Sequence, residues 1–154
     1  MRICVYRHAT RLALLLPILT VLLLPSQAAA QDFGLRGGVS INPDQGYFGL
    51  HYETRPLVDR LYFRPNVEVG FGDGSVLTAL NMEFVYKFPS KNQWRLYAGG
   101  GPALNIYNAD SSTETQGGLN LMVGAEERKG LFFELKIGVI DSPDAKFGVG
   151  YTWR

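Results

Sequence analysis

Residues 146–153 read Lys-Phe-Gly-Val-Gly-Tyr-Thr-Trp. Phe147, Val149, Tyr151 and Trp153 take one set of alternate positions, and Lys146, Gly148, Gly150 and Thr152 take the other. Successive side chains of a strand point to opposite sides of a sheet, so this period of two predicts a strand with one apolar and one polar face. The segment before it does the same, with Phe133, Leu135, Ile137 and Val139 interleaved by Glu134, Lys136 and Gly138. Followed back along the chain, the alternation predicts strands over 32–42, 47–54, 61–72, 75–88, 92–107, 117–126, 131–140 and 146–153. The breaks carry turn residues: Asn42-Pro43-Asp44-Gln45-Gly46, Gly72-Asp73-Gly74-Ser75, Pro89-Ser90-Lys91-Asn92, Lys129-Gly130 and Asp141-Ser142-Pro143-Asp144. The polar stretch from Asn108 to Gln116 reads as the longest clear loop. Nothing after residue 30 shows helical periodicity.

The apolar row of these strands holds no charge from Phe33 to Trp153. The opposite row holds the bases Arg36, Arg64, Lys87, Arg95, Lys136 and Lys146 and the acids Glu53, Glu68, Glu83, Glu126 and Glu134, together with most of the strand glycines. Period two does not say which row points inward. A soluble barrel turns its apolar row in, and a membrane barrel turns it out to lipid. Three features favour the membrane. Glycine has little reason to line a water-facing strand surface, whereas the lumen of an eight-stranded barrel has little room for side chains. Five acids and six bases on one row can pair in a narrow lumen, the condition under which buried charge is tolerated. Aromatics also gather at one end of the apolar row: Phe33, Tyr52, Phe63, Phe84, Tyr86, Phe88, Trp94, Phe133, Tyr151 and Trp153. That distribution suits an interfacial girdle. The expected fold is therefore all-β, an eight-stranded antiparallel up-and-down transmembrane β-barrel. Pro65 and Pro102 fall inside strands, where each removes a ladder hydrogen bond, and local bulges are expected to absorb them.

The first thirty residues differ from the rest. Arg2, Arg7 and Arg11 precede an apolar run from Leu12 to Leu24, and Ser26-Gln27-Ala28-Ala29-Ala30 ends it with small residues. This order predicts a cleaved signal peptide over 1–30 and a barrel domain over 31–154. Three of the 15 bases and none of the 14 acids lie before Gln31, which leaves 12 bases against 14 acids and a net charge of −2. No basic face for nucleic acid is present. The single cysteine, Cys4, lies in the leader, so no disulfide or thiolate metal site is expected in the domain. Barrel closure, which abolishes unpaired edges, is another way to hold an exported domain together.

The C-terminal segment resembles the assembly signal of outer-membrane β-barrel proteins, a polar residue, a glycine two later and alternate aromatics; Lys146, Gly148, Tyr151 and Trp153 match it. Members of that group end on the aromatic itself, and here Arg154 follows Trp153. With the leader and the strands, the whole domain is similar to the small outer-membrane β-barrel superfamily of opacity-type and porin-like proteins. The resemblance implies residence in the bacterial outer membrane, with membrane lipid and the barrel-assembly machinery as partners and the chain as a monomer.

Catalysis has little to draw on. His51 is the only histidine after the leader. It lies on the charged row beside Glu53, and no serine joins it on a shared face at the same end, so a hydrogen-bonding role in the lumen is expected. The glutamates have basic partners on their own row, which points to a structural ion network rather than paired-carboxylate chemistry. One histidine and no cysteine make a metal site weak. The expected function is a non-enzymatic structural or surface barrel that needs no cofactor and has a side-chain-filled lumen. A narrow porin-like channel is the next reading, and a lipid-modifying outer-membrane enzyme the third.

Overall fold

The computed structural model describes residues 32–109 and 112–154. The proposed leader lies outside the described residues. Eight strands follow one another: β1 (Asp32–Ile41), β2 (Gln45–Glu53), β3 (Leu61–Gly72), β4 (Ser75–Lys87), β5 (Trp94–Ala109), β6 (Ser112–Glu127), β7 (Leu131–Ile140) and β8 (Ala145–Trp153). Each pairs antiparallel with the next, and β8 returns to β1 to close the barrel. The closing seam runs from Phe33 opposite Trp153 to Ile41 opposite Ala145. Asp73 and Gly74 make the β3–β4 connection with φ of 52° and 66°. Positive φ at both central residues is what a two-residue hairpin turn demands.

Two sequence expectations need correction. The segment from Asn108 to Gln116 is mostly strand: Tyr107 pairs with Glu114, Asn108 with Thr113 and Ala109 with Ser112. Its polarity reflects its surroundings rather than its backbone. The β6–β7 ladder begins only at Leu119 opposite Ile140, so the β5–β6 hairpin rises beyond its β7 neighbour. Residues there meet water on both faces, while Thr113, Thr115 and Ile106 keep strand propensity. Similarly, β2 begins at Gln45, inside the stretch read as a turn.

The second correction concerns the prolines. Neither shifts the register. Pro65 stays in the ladder with Met82 of β4, and on its other side the β2–β3 pairing ends at His51 opposite Asn66. The strands meet once more where the Thr54 amide donates to the Phe63 carbonyl at 3.0 Å. Around Pro102 the β4–β5 ladder skips two steps and resumes in the same register, Asn81–Ala103 before it and Phe84–Gly100 after. The irregularity lies elsewhere, in β7, where Leu119 faces Ile140 but Asn120 faces Gly138. Val139 is the extra residue, and as a result Val139 and Ile140 are both exposed.

Candidate functional site

The interior holds what a soluble protein shows outside. Arg36, Glu53, Arg64, Glu68, Glu83, Lys87, Glu126, Glu134, Lys136 and Lys146 are all buried, Arg64 and Glu83 at 0% exposure. Arg95 is half-buried at the mouth on the side of the chain termini. The strand alternation carries them there, one inward position in every two. The outer surface is the reverse. Phe48, Leu96 and Phe147 are 61%, 65% and 54% exposed, and the same row includes Leu121, Leu135 and Ile137. Aromatic pairs band the terminal end of this surface: Phe33 stacks on Trp153, Trp94 on Phe133, Phe63 meets Phe84, and Tyr151 meets Trp153 edge-on.

The inward charges form two linked groups. In the middle of the barrel, Glu68 meets Lys136 at 2.7 Å, Lys146 at 2.9 Å and Arg36 at 3.3 Å. Lys136 also reaches Glu83 at 2.6 Å, and Arg36 reaches Glu134 at 3.1 Å. Nearer the terminal mouth, Glu53 pairs with Arg64 and Lys87, and Glu126 pairs with Arg95 and lies 3.1 Å from both Lys87 and Arg154. Arg64 joins the groups, its Nη1 3.6 Å from Glu134. In a low-dielectric interior an unpaired charge is costly, and each acid here has at least two cationic neighbours.

Rings fill the remaining space. Arg64 lies over Tyr97, 4.9 Å from the ring centre, and Phe132 sits 5.6 Å from both Arg36 and Arg64. The Tyr97 hydroxyl donates to Glu134 at 2.8 Å. Inward glycines make room for these rings. A Cβ at Gly124 would strike Tyr97, and one at Gly150 would strike Phe132. Towards the other end the filling turns from ions to amides: Asn120 donates to Asn81 at 3.1 Å, and Asn81 donates to Asn66 at 2.7 Å. Leu77, Ala79 and Ala103 are also buried, and Met122 clusters with Val85, Tyr97 and Phe132.

No protein-family model matches the sequence, and no curated protein sequence matches it. Solved structures match its shape. Neisserial surface protein A superimposes with a TM-score of 0.62 at 11% identity, over 80% of this chain and 94% of that one. The N-terminal β-barrel domain of OprF from Pseudomonas aeruginosa gives 0.55 at 15% identity, over 79% and 97%. The fold is that of the small outer-membrane β-barrels. A third such barrel, described as the outer membrane enzyme PagL, gives 0.50 at 11% identity, over 80% and 99%. Barrels of this shape thus include an enzyme.

His51 is therefore worth placing. It is 2% exposed, its Nε2 lies 3.0 Å from the Thr152 hydroxyl, and its ring meets Phe132 edge-on. Thr152, Tyr47, Tyr97 and Phe132 belong to no motif, and their one signal in the sequence is parity, since each lies on the charged row. Arg154 departs from the terminal pattern of the assembly signal. In the structure its guanidinium folds back over the mouth, 3.1 Å from Glu126 and 3.5 Å from Asp32 of β1.

Proposed function

We propose that the protein is an integral barrel of the bacterial outer membrane, exported through a leader over 1–30, whose lumen is closed by side chains. It serves a structural or surface role rather than conduction or catalysis. The observation that carries this reading is the buried ion network. An eight-stranded barrel has a lumen about wide enough for its own side chains, and here two linked ion groups, three rings and an amide ladder occupy it. The six bases and five acids of the strands nearly balance, which favours mutual pairing over a charged ring that selects ions. His51 supports the non-catalytic reading, because its ring faces Thr152 and Phe132 inside the barrel, away from any lipid substrate.

Planar bilayers test the closed lumen. Purified protein is expected to give no stable, reproducible unit conductance. Regular pores from pure protein would make it a channel and overturn the reading.

The last strand gives a second expectation. Tyr151 and Trp153 form the outward end of β8 and stand in the girdle. Amphipathic rings are favoured at the membrane interface, and Lys146, Gly148, Tyr151 and Trp153 form the proposed assembly signal. Replacing both aromatics with alanine should reduce the heat-resistant barrel recovered from outer membranes far more than deleting Ser111–Thr115. Blocked assembly in the deletion with normal assembly in the double alanine variant would refute this role.

A further inference from the structure

The two ends of the barrel differ in charge. At the end away from the termini, the connections hold Asp44, Asp73, Asp141 and Asp144, and the described residues there include no base. At the terminal end, the connections hold Arg55, Arg60, Lys91, Arg128 and Lys129 against Asp59, with Glu127 at the end of β6. A cavity of about 480 Å³ opens at this terminal mouth, beneath the β4–β5 turn. Arg60, Lys87, Arg95, Arg128 and Arg154 line it, and no Asp or Glu side chain does.

The carboxylates next to it do not balance this charge. Glu53, Glu126 and Asp32, with Glu134 reached by Arg64, face Arg64, Lys87, Arg95 and Arg154. Arg60 and Arg128 come on top of these. Among the described residues the Arg128 guanidinium donates only to the Lys91 carbonyl, at 3.4 Å, and the Arg60 guanidinium has only Asp59, at 3.8 Å on a carboxylate 84% exposed. A surface pair of that kind is worth little. Two chain connections, the ends of β4 and β5 and the residue after β8 thus bring cationic groups to one concave space and leave two guanidinium groups, those of Arg60 and Arg128, unengaged by any buried acid.

We propose that this vestibule is a binding site for a phosphate-bearing anion. Guanidinium groups match phosphate oxygens two at a time, and Arg supplies four of the five cations. The volume exceeds a bare phosphate and falls in the range of small-molecule sites, so the phosphate arrives on a larger group, either a soluble metabolite or the headgroup of a lipid in the adjoining leaflet. The proposal goes beyond the structural role above and does not depend on whether the lumen conducts.

The full barrel domain in phosphatidylcholine nanodiscs, titrated calorimetrically with inorganic phosphate and with pyrophosphate, tests the site. Saturable binding is expected for both, tighter for pyrophosphate. Arg60→Gln with Arg128→Gln should weaken it at least about tenfold, since each loses a charge-assisted contact. Arg55→Gln with Lys129→Gln removes equal charge from the same end but outside the cavity, and should change affinity less than about twofold. Arg128→Gln alone, which gives up one bond to a carbonyl, provides a second reading should the double variant fold poorly. Nanodiscs doped with phosphatidylglycerol, compared with oleate at equal charge, identify the source: specific competition by phosphatidylglycerol marks a lipid headgroup, and its absence marks a soluble phosphate. No saturable heat with either anion, or equal loss in both double variants, would overturn the proposal.

Discussion

Glu68→Ala is expected to destabilise the folded barrel by about 3–5 kcal/mol, because removing one member of a buried ion group leaves the others uncompensated. Glu68 is 1% exposed and serves three cations, Arg36, Lys136 and Lys146. Its loss strands Lys146, whose one carboxylate within 4.0 Å among the described residues is Glu68. It also strips Lys136 and Arg36 of a partner each. Glu68→Gln keeps the shape and part of the hydrogen bonding, so its cost should be smaller. Urea unfolding in lipid vesicles reads both. A cost below about 1 kcal/mol for the alanine variant would mean that water reaches these groups and that the lumen is not the dry, paired interior described.

Leu135→Arg should cost about 2–4 kcal/mol in the same assay, the penalty for an arginine on the lipid face near mid-membrane. Leu135 lies between Val123 and Phe147 on the outer surface. The residue after it follows the opposite rule. Lys136 points inward to Glu68, Glu83 and Glu134. Lys136→Leu, which favours apolarity, should therefore destabilise as well, by leaving three carboxylates without their shared ammonium. One residue apart, an added charge and an added alkyl chain are both harmful. A soluble barrel with an apolar core would penalise the first and tolerate the second.

Much of this architecture was legible because alternation is a local property. Whether a side chain at 133, 135 or 137 goes out depends on its parity within β7, and parity is read directly from the chain. The same parity carried Arg36, Glu53, Arg64, Glu68, Glu83, Lys87, Arg95, Glu126, Glu134, Lys136 and Lys146 to the interior side. Partner choice was not legible. Arg36 meets Glu134, 98 residues away, because shear of the closed sheet sets which inward side chains share a level. Polarity misled at 108–116, where it marks water around a strand rather than a loop. Pro65 misled in the other way: its missing donor falls where β2 ends its pairing, so no bulge is needed. The bulge at Val139 has no proline or glycine signal in the residue itself, although Gly138 precedes it. The cationic vestibule was invisible because its residues come from three separate turns, the end of β4 and β5, and the residue after β8.

Spin-label accessibility in lipid vesicles distinguishes an apolar row that faces lipid, with the charged row filling the interior, from the reverse arrangement. The only cysteine is Cys4, in the proposed leader, so the barrel domain accepts single labels without background. Labels at Leu121 and Leu135 are compared with labels at Asp44 and Glu114, beyond the apolar belt. High collision with oxygen and low collision with a water-soluble nickel chelate are expected at Leu121 and Leu135, and the reverse at Asp44 and Glu114. Strong chelate access at Leu121 and Leu135 would place the apolar row in water instead of lipid.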